Sequence, residues 1–346
     1  MKALVLQADN KLKLVERPRP TIEDQNDVLV RVVQTGICGT DRSILVGKFT
    51  AKPGTILGHE SVGIVEEAGS GALTSGFVPG NRVIINPTMY CGECSACLSG
   101  KLNFCNRKVG NEIGIDRDGA FAEYIRLPAK FCHHVPERMS FDRAVMVEPL
   151  ACALNNLEAA RLSPGESVLV IGGGPMGIIS AMLALALGAK VTLVEVDPFR
   201  RLACNQILTG AQFTLADPNG ASRLEEADVV VDSVGNLLAD ALRYAKVAGR
   251  VVILGYNSHA SVTVKPLDIL MRGLSIIGAG DYNSQIFPRA IELAKNLPLE
   301  KVISARFSIS DYDQAFGCLA QSGSSSYEAL KVLIQPNTLE LSGVQA

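Results

Sequence analysis

Cysteines at positions 91, 94, 97 and 105 follow the pattern C-x2-C-x2-C-x7-C within a run of small and polar residues, Tyr90-Cys91-Gly92-Glu93-Cys94-Ser95-Ala96-Cys97. The run is too polar and too rich in glycine for a core element, which argues against ordinary buried thiols. Disulfides at a two-residue spacing are mostly transient redox devices. Thiolates this close can instead wrap one zinc ion at Zn–S distances of about 2.3 Å. Four protein ligands leave such an ion coordinatively closed. Cys91, Cys94, Cys97 and Cys105 are therefore expected to clamp a loop, and any catalysis must arise elsewhere.

A second set of metal-binding residue types is dispersed along the chain, in Cys38-Gly39-Thr40-Asp41, Gly58-His59-Glu60 and Val147-Glu148-Pro149. One thiolate, one imidazole and one carboxylate suit zinc with an open fourth position. Taken singly, each has an ordinary alternative: a core cysteine, a hydrogen-bonded histidine, a glutamate at a helix N-terminus. Spacing alone leaves both readings open.

The third chemical signal is Gly172-Gly173-Gly174-Pro175-Met176-Gly177, which reads G-x-G-x-x-G between the apolar run Val168–Ile171 and a helical stretch. Gly172 permits the tight turn, Gly174 lets the backbone approach a pyrophosphate, and Gly177 lets helix and strand pack closely. Pro175 has no N–H, so amides such as Met176 must donate. Glu195 ends the next strand 18 residues after Gly177. A carboxylate there accepts ribose hydroxyls and repels a 2′-phosphate, favouring NAD over NADP, with Asp197 a weaker candidate for the same contact. Arg200 and Arg201 oppose this preference, because either could neutralise a phosphate.

These groups must be held by two kinds of element. Residues 1 to about 150 alternate β-branched runs with turn residues, as in Asp27–Val33 and Arg82–Ile85, which predicts a β-rich region. From Ser167 onward, strands at Val168–Ile171, Val191–Val194, Val229–Val231 and Val251–Leu254 alternate with helical stretches, the pattern of a doubly wound parallel sheet. The predicted domains are 1–152 with 288–346, including a zinc lobe at 86–110, and a nucleotide-binding domain at 153–287. Within the last part, helices are expected at Pro288–Asn296 and around Tyr312–Gln321, then a strand Leu330–Ile334 that returns to the first domain. Ser322–Ser326 reads as a surface loop and the last ten residues as loose.

The 346 residues are 47% hydrophobic and 20% charged, ordinary values for a globular protein, with a formal net charge of −2. No basic run offers a surface for phosphate backbones, so nucleic acid is not an expected partner. The longest apolar run, Ile178–Gly188, is about half the roughly 20 residues that a bilayer requires, so no membrane association is expected. The amino terminus turns polar before a secretory core could form, which predicts a cytoplasmic protein.

Taken together and in order, Cys38-Gly-Thr-Asp41, Gly58-His-Glu60, the four-cysteine lobe, Asp118-Gly-Ala-Phe-Ala-Glu-Tyr124, Glu148-Pro149 and the glycine turn resemble the zinc-dependent medium-chain alcohol and polyol dehydrogenases over essentially the full chain. The resemblance implies an α/β fold, a Rossmann domain plus a β-rich GroES-like catalytic domain, and two zinc ions per chain. It implies catalytic zinc on Cys38, His59 and Glu148, with Glu60 able to exchange with water as a ligand. Asp41 would orient His59, and the Thr40 hydroxyl would accept the alcohol proton. Zinc lowers the pKa of bound water from about 15.7 to about 7, on the order of 11 kcal/mol, whereas a general base contributes roughly 3 to 5 kcal/mol. Metal polarisation is thus expected to outweigh base catalysis before hydride passes to the nicotinamide.

Three departures stand out. Ser43 occupies the place where many relatives carry a proton-relay histidine, leaving water or Glu60 as substitutes. The stretch Leu215–Asp228 is short, which predicts a curtailed helix. Substrate-pocket positions do not match well enough to transfer. The resemblance points to a polyol, sugar alcohol, sugar phosphate or cyclitol as substrate and to a homodimer or homotetramer. L-threonine or simple alcohol dehydrogenation is the alternative, and a non-catalytic NAD-binding protein is the reading outside enzymology.

Overall fold

The computed structural model describes residues 1–108, 110–217, 224–319 and 328–337. Packing divides it into two units. The first holds Met1–Glu148, Asn283–Leu319 and the strand Lys331–Gln335, and the second holds Pro149–Tyr282.

In the first unit, a seven-stranded sheet runs in the order Ile303–Ser308, Lys331–Gln335, Asp27–Gly36, Glu60–Ala68, Arg82–Ile85 and Cys132–His134, with Tyr124–Pro128 also paired to Asp27–Gly36. The ten-residue strand Asp27–Gly36 is the axis, and nine of its residues are buried because neighbours cover both faces. Val28, Val30 and Val32 on one face pack with Val65, Val83, Ile85, Ile125 and Phe131. Burying each such side chain contributes about 1.5 to 3 kcal/mol. For the metal-binding residue types, register matters more than core size. Gly36 lies opposite Glu60 on one neighbour and opposite Leu333 on the other. The end of the central strand is thereby flanked by the start of Glu60–Ala68 and the start of Lys331–Gln335.

In the second unit, all six strands are parallel, in the order Phe213–Ala216, Lys190–Val194, Ser167–Ile171, Ala227–Asp232, Ala245–Ile253 and Ser275–Ile277. Numbered along the chain, this is 3-2-1-4-5-6, the order of the doubly wound dinucleotide-binding fold. The crevice outside the carboxyl ends of the first and fourth of these strands is where such sheets take a ligand. The helix Pro175–Ala186 is apolar on nearly all sides and buried from Gly177 to Ala184, as its continuous hydrophobic sequence requires.

Several elements differ from expectation. The strand expected at Val251–Leu254 begins six residues earlier, at Ala245. Ala248 sits at φ 60 and the register with the adjacent strand shifts between Ala227 and Val229, so the early part has no clean alternation to read. The strand Ser275–Ile277 is a short, mostly exposed edge and gave no periodic signal. The helices lie at Phe287–Ala294 and Tyr312–Gly317. Gln321, the Ser322–Ser326 stretch, residues 218–223 of the short linker and all but the first of the last ten residues fall outside the described residues.

Candidate metal centres and dinucleotide turn

Cys38 caps the helix Gly39–Leu45, and its amide donates to Asp41 Oδ2 at 2.8 Å. The three-residue spacing in Cys-Gly-Thr-Asp is thus a capping arrangement that fixes the backbone beneath the thiol. The Thr40 hydroxyl lies 3.7 Å from the Cys38 sulfur. Gly58 adopts φ +92 and a side chain there would strike Phe121, so the bend that delivers His59 and Glu60 requires glycine.

Ligand atoms of Cys38, His59 and Glu60 all lie within 4.8 Å of one another. Glu148 is buried and close enough to act on His59 electrostatically, but it does not join that group. The side chain expected as the exchanging ligand is therefore the one drawn into the cluster, while the expected carboxylate ligand stands at its flank. Asp41 Oδ1 lies 3.8 Å from His59 Nδ1, beyond hydrogen-bond reach, and both atoms are buried without a hydrogen-bond partner. Burial drives His59 toward its neutral form, but Asp41, Cys38 and Glu148 prevail and hold it well above the usual histidine range. Burial also raises the Asp41 carboxyl, against the pull of His59 and the Cys38 amide.

This is an anion-rich pocket with sulfur, nitrogen and oxygen donors converging and orphaned polar atoms behind them. A divalent cation of zinc's preferences fits it. Ser43 is not brought in, because its hydroxyl donates to the Gly39 carbonyl at 2.9 Å.

Sequence reasoning missed Lys331. It is buried, forms an ion pair with Glu60 Oε2 and donates to the Ile37 carbonyl at 3.1 Å. Burial works to lower its pKa, yet Glu60, Cys38 and Glu148 raise it overall. The only available signal was a lysine opening the apolar run Lys331-Val-Leu-Ile334, where a strand interior disfavours charge.

In the lobe, the sulfurs of Cys91 and Cys97 are 3.9 Å apart, those of Cys94 and Cys105 3.9 Å, and those of Cys105 and Cys91 3.6 Å. Sulfurs placed tetrahedrally about 2.3 Å from one ion would sit about 3.8 Å apart. All four are free thiols. Backbone amides of Cys97 and Asn106 lower the Cys94 thiol to about 6, while burial pushes Cys97 up to about 12. The four-sulfur lobe fits zinc as the spacing suggests, with no open ligand position.

At the glycine turn, Gly172 has φ +104 and joins the strand Ser167–Ile171 to the helix Pro175–Ala186, whose first residue is the proline. A side chain at Gly177 would collide with the Gly172 carbonyl, so the close approach there depends on glycine. Glu195 Oε2 accepts from the Gly173 amide at 2.6 Å, and Oε1 accepts from Val196 and Asp197 at 2.7 and 2.8 Å. The Arg200 guanidinium lies 3.9 Å from Glu195 Oε2 and within 3.7 Å of where a Gly174 side chain would begin. Asp197 caps the helix Pro198–Ile207 through the Arg200 amide at 2.9 Å. Asp232, which sequence reasoning also missed, ends its strand and accepts the amides of Val234, Gly235 and Leu237, which orders the neighbouring loop. These groups, gathered around one glycine turn, could hold a dinucleotide.

Residues 24–137 match the alcohol dehydrogenase GroES-like domain, and residues 175–296 match the zinc-binding dehydrogenase domain. The chain belongs to the zinc-dependent medium-chain alcohol dehydrogenases, and it is an enzyme of the oxidoreductase class. It is 30% identical to D-xylulose reductase A of Aspergillus oryzae over 338 residues, which covers 91% of this chain and 92% of that protein. A structure from Sinorhizobium meliloti described as a zinc-binding dehydrogenase bound to NADP is 32% identical with a TM-score of 0.86, covering 97% of this chain and 99% of that one. Galactitol-1-phosphate dehydrogenase of Escherichia coli is 26% identical with a TM-score of 0.85, covering 97% and 100%.

Proposed function

We propose that the protein interconverts a secondary alcohol of a polyol and the corresponding ketone, exchanging hydride with NAD. The observation that carries this reading is the convergence of Cys38, His59 and Glu60 in a chain that also forms the glycine turn with Glu195. These three residues would hold a catalytic zinc ion, with Glu148 at its flank. Bound there, the ion would act as a Lewis acid on the substrate oxygen and ease loss of its proton. The Thr40 hydroxyl, close to the Cys38 sulfur, would take that proton. Ser43 is committed to its own helix, so the proton would continue through water. Cys91, Cys94, Cys97 and Cys105 would hold a second zinc ion and stiffen the lobe.

Support for a polyol comes from two relatives, a D-xylulose reductase and a galactitol-1-phosphate dehydrogenase. Support for NAD comes from the carboxylate of Glu195 at the end of the second strand, where a 2′-phosphate would be repelled. We also propose a homo-oligomeric, cytoplasmic enzyme. The edge strand Ser275–Ile277 and the helix Pro266–Arg272 expose Leu267, Leu270, Met271 and Ile276, an apolar surface that a two-fold copy of the same edge could cover. No helix among the described residues is long and apolar enough to cross a membrane.

Substrate class is tested by following NADH formation with a panel of sugar alcohols, cyclitols and their phosphates. Turnover with a vicinal polyol above that with L-threonine or a simple alcohol is expected. A preference for either of those would reject the polyol reading.

A further inference from the structure

Lys331 and Glu60 form an ion pair that is almost wholly shut off from water. Taking two charges out of water is costly, and an apolar pair of the same volume is often no less stable, so stability is a weak reason for its presence. The surrounding backbone is shaped to admit it. Gly36 lies across from Glu60 on the central strand, and a side chain at Gly36 would run into Glu60 Oε2 and come within 2.8 Å of Lys331 Cε. The ammonium group is fixed from a second direction by the Ile37 carbonyl at 3.1 Å. Glu60 Oε2 is thus committed to a held cation, and the same carboxylate belongs to the group formed with Cys38 and His59.

A carboxylate free to rotate can offer zinc one oxygen or both. Two would fill the position that a catalytic centre must keep for its substrate. We propose that Lys331 is a positioning residue that occupies Oε2, restricts Glu60 to a single oxygen toward the metal, and so keeps the fourth coordination position open. The inference rests on the metal-centre reading above and adds a determinant of how many ligand atoms the protein presents. It acts through Glu60 and needs no contact between Lys331 and substrate.

The test uses the full chain with cobalt(II) in the Cys38, His59, Glu60 centre, read by its visible absorption and by titration with imidazole as an external ligand. Lys331→Met is expected to change the cobalt spectrum toward higher coordination and to weaken imidazole binding by roughly 10-fold or more, the range found when partners of metal ligands are removed. Lys331→Arg, which keeps the charge, is expected to restore both. A merely structural role would leave the spectrum and imidazole affinity of folded Lys331→Met unchanged, and that result would overturn the proposal. Glu60→Gln gives a check that does not depend on how well Lys331 variants fold. A shifted cobalt spectrum is expected, and an unshifted one takes Glu60 off the metal and overturns the proposal. Failure of the centre to take up cobalt would refute the metal-centre reading itself, which separates the two failures.

Discussion

Glu195 accepts three backbone amides through its two carboxylate oxygens, and the Arg200 guanidinium stands 3.9 Å from Oε2. Under the proposed function, discrimination between the two dinucleotides would turn on this pair of opposite charges. Glu195→Ala would remove the acceptor for ribose and leave Arg200 facing whatever lies at the 2′ position. Hydrogen bonds to charged groups contribute about 1.5 to 3 kcal/mol, so NADH affinity is expected to fall by about 10-fold or more while NADPH affinity falls less. Fluorescence titration with each reduced cofactor measures this, and an unchanged ratio would show that Glu195 does not face the ribose. The residues behind this prediction were legible in sequence because a glycine turn and a carboxylate at fixed distance are local patterns. So were Cys38, His59 and Glu60, each carried by a short motif. Lys331 was not legible, since it lies 294 residues from the carbonyl it bonds and only sheet register brings it to Glu60. Ligand atoms of Glu60, and not of Glu148, group with those of Cys38 and His59, a point that spacing along the chain cannot resolve.

Elements of the parallel sheet are tied at their amino ends by a second, partly exposed polar device. Asp228 accepts the Ser167 amide and hydroxyl at 2.8 and 2.6 Å, and the Lys246 ammonium reaches both side chains, which links three adjacent strands. Burial raises the Asp228 carboxyl, but Lys246 and Ser167 outweigh it and bring it down to about 2. A depressed carboxyl stabilises the fold above its unfolded pKa, here about 4, and that contribution disappears as pH falls toward 2. The Lys246 and Asp228 side chains remain 43% and 32% open to water, so screening reduces the effect. Asp228→Asn is expected to cost about 1 kcal/mol in urea unfolding at neutral pH, with the difference from the parent vanishing near pH 2. A difference independent of pH would assign the loss to packing instead. Four of the six strands could be read from apolar runs bounded by turn residues, whereas Phe213–Ala216 went unread. The edge strand Ser275–Ile277 could not be read either, because two exposed residues and one partly buried one carry no periodicity.

For the whole molecule, the exposed apolar edge of the parallel sheet predicts association that single-chain packing does not satisfy. Replacing Leu270 and Ile276 with lysine is expected to convert an oligomer to a monomer in sedimentation, and an unchanged mass would place the interface elsewhere. At this scale the order of motifs pointed to two domain types, but not to which carboxylate lies beside Cys38 and His59. The central claim is that one chain combines an open metal centre on Cys38, His59 and Glu60 with a dinucleotide turn, and that turnover needs both. Its most direct test is NADH formation from a polyol by the zinc-replete protein and by Cys38→Ser, with NADH binding measured in parallel. The parent should carry two zinc ions per chain and turn over, while Cys38→Ser should bind NADH with unchanged affinity, lose zinc at one centre and form no product. Full turnover by Cys38→Ser, or a zinc-replete parent that binds no dinucleotide, would contradict it.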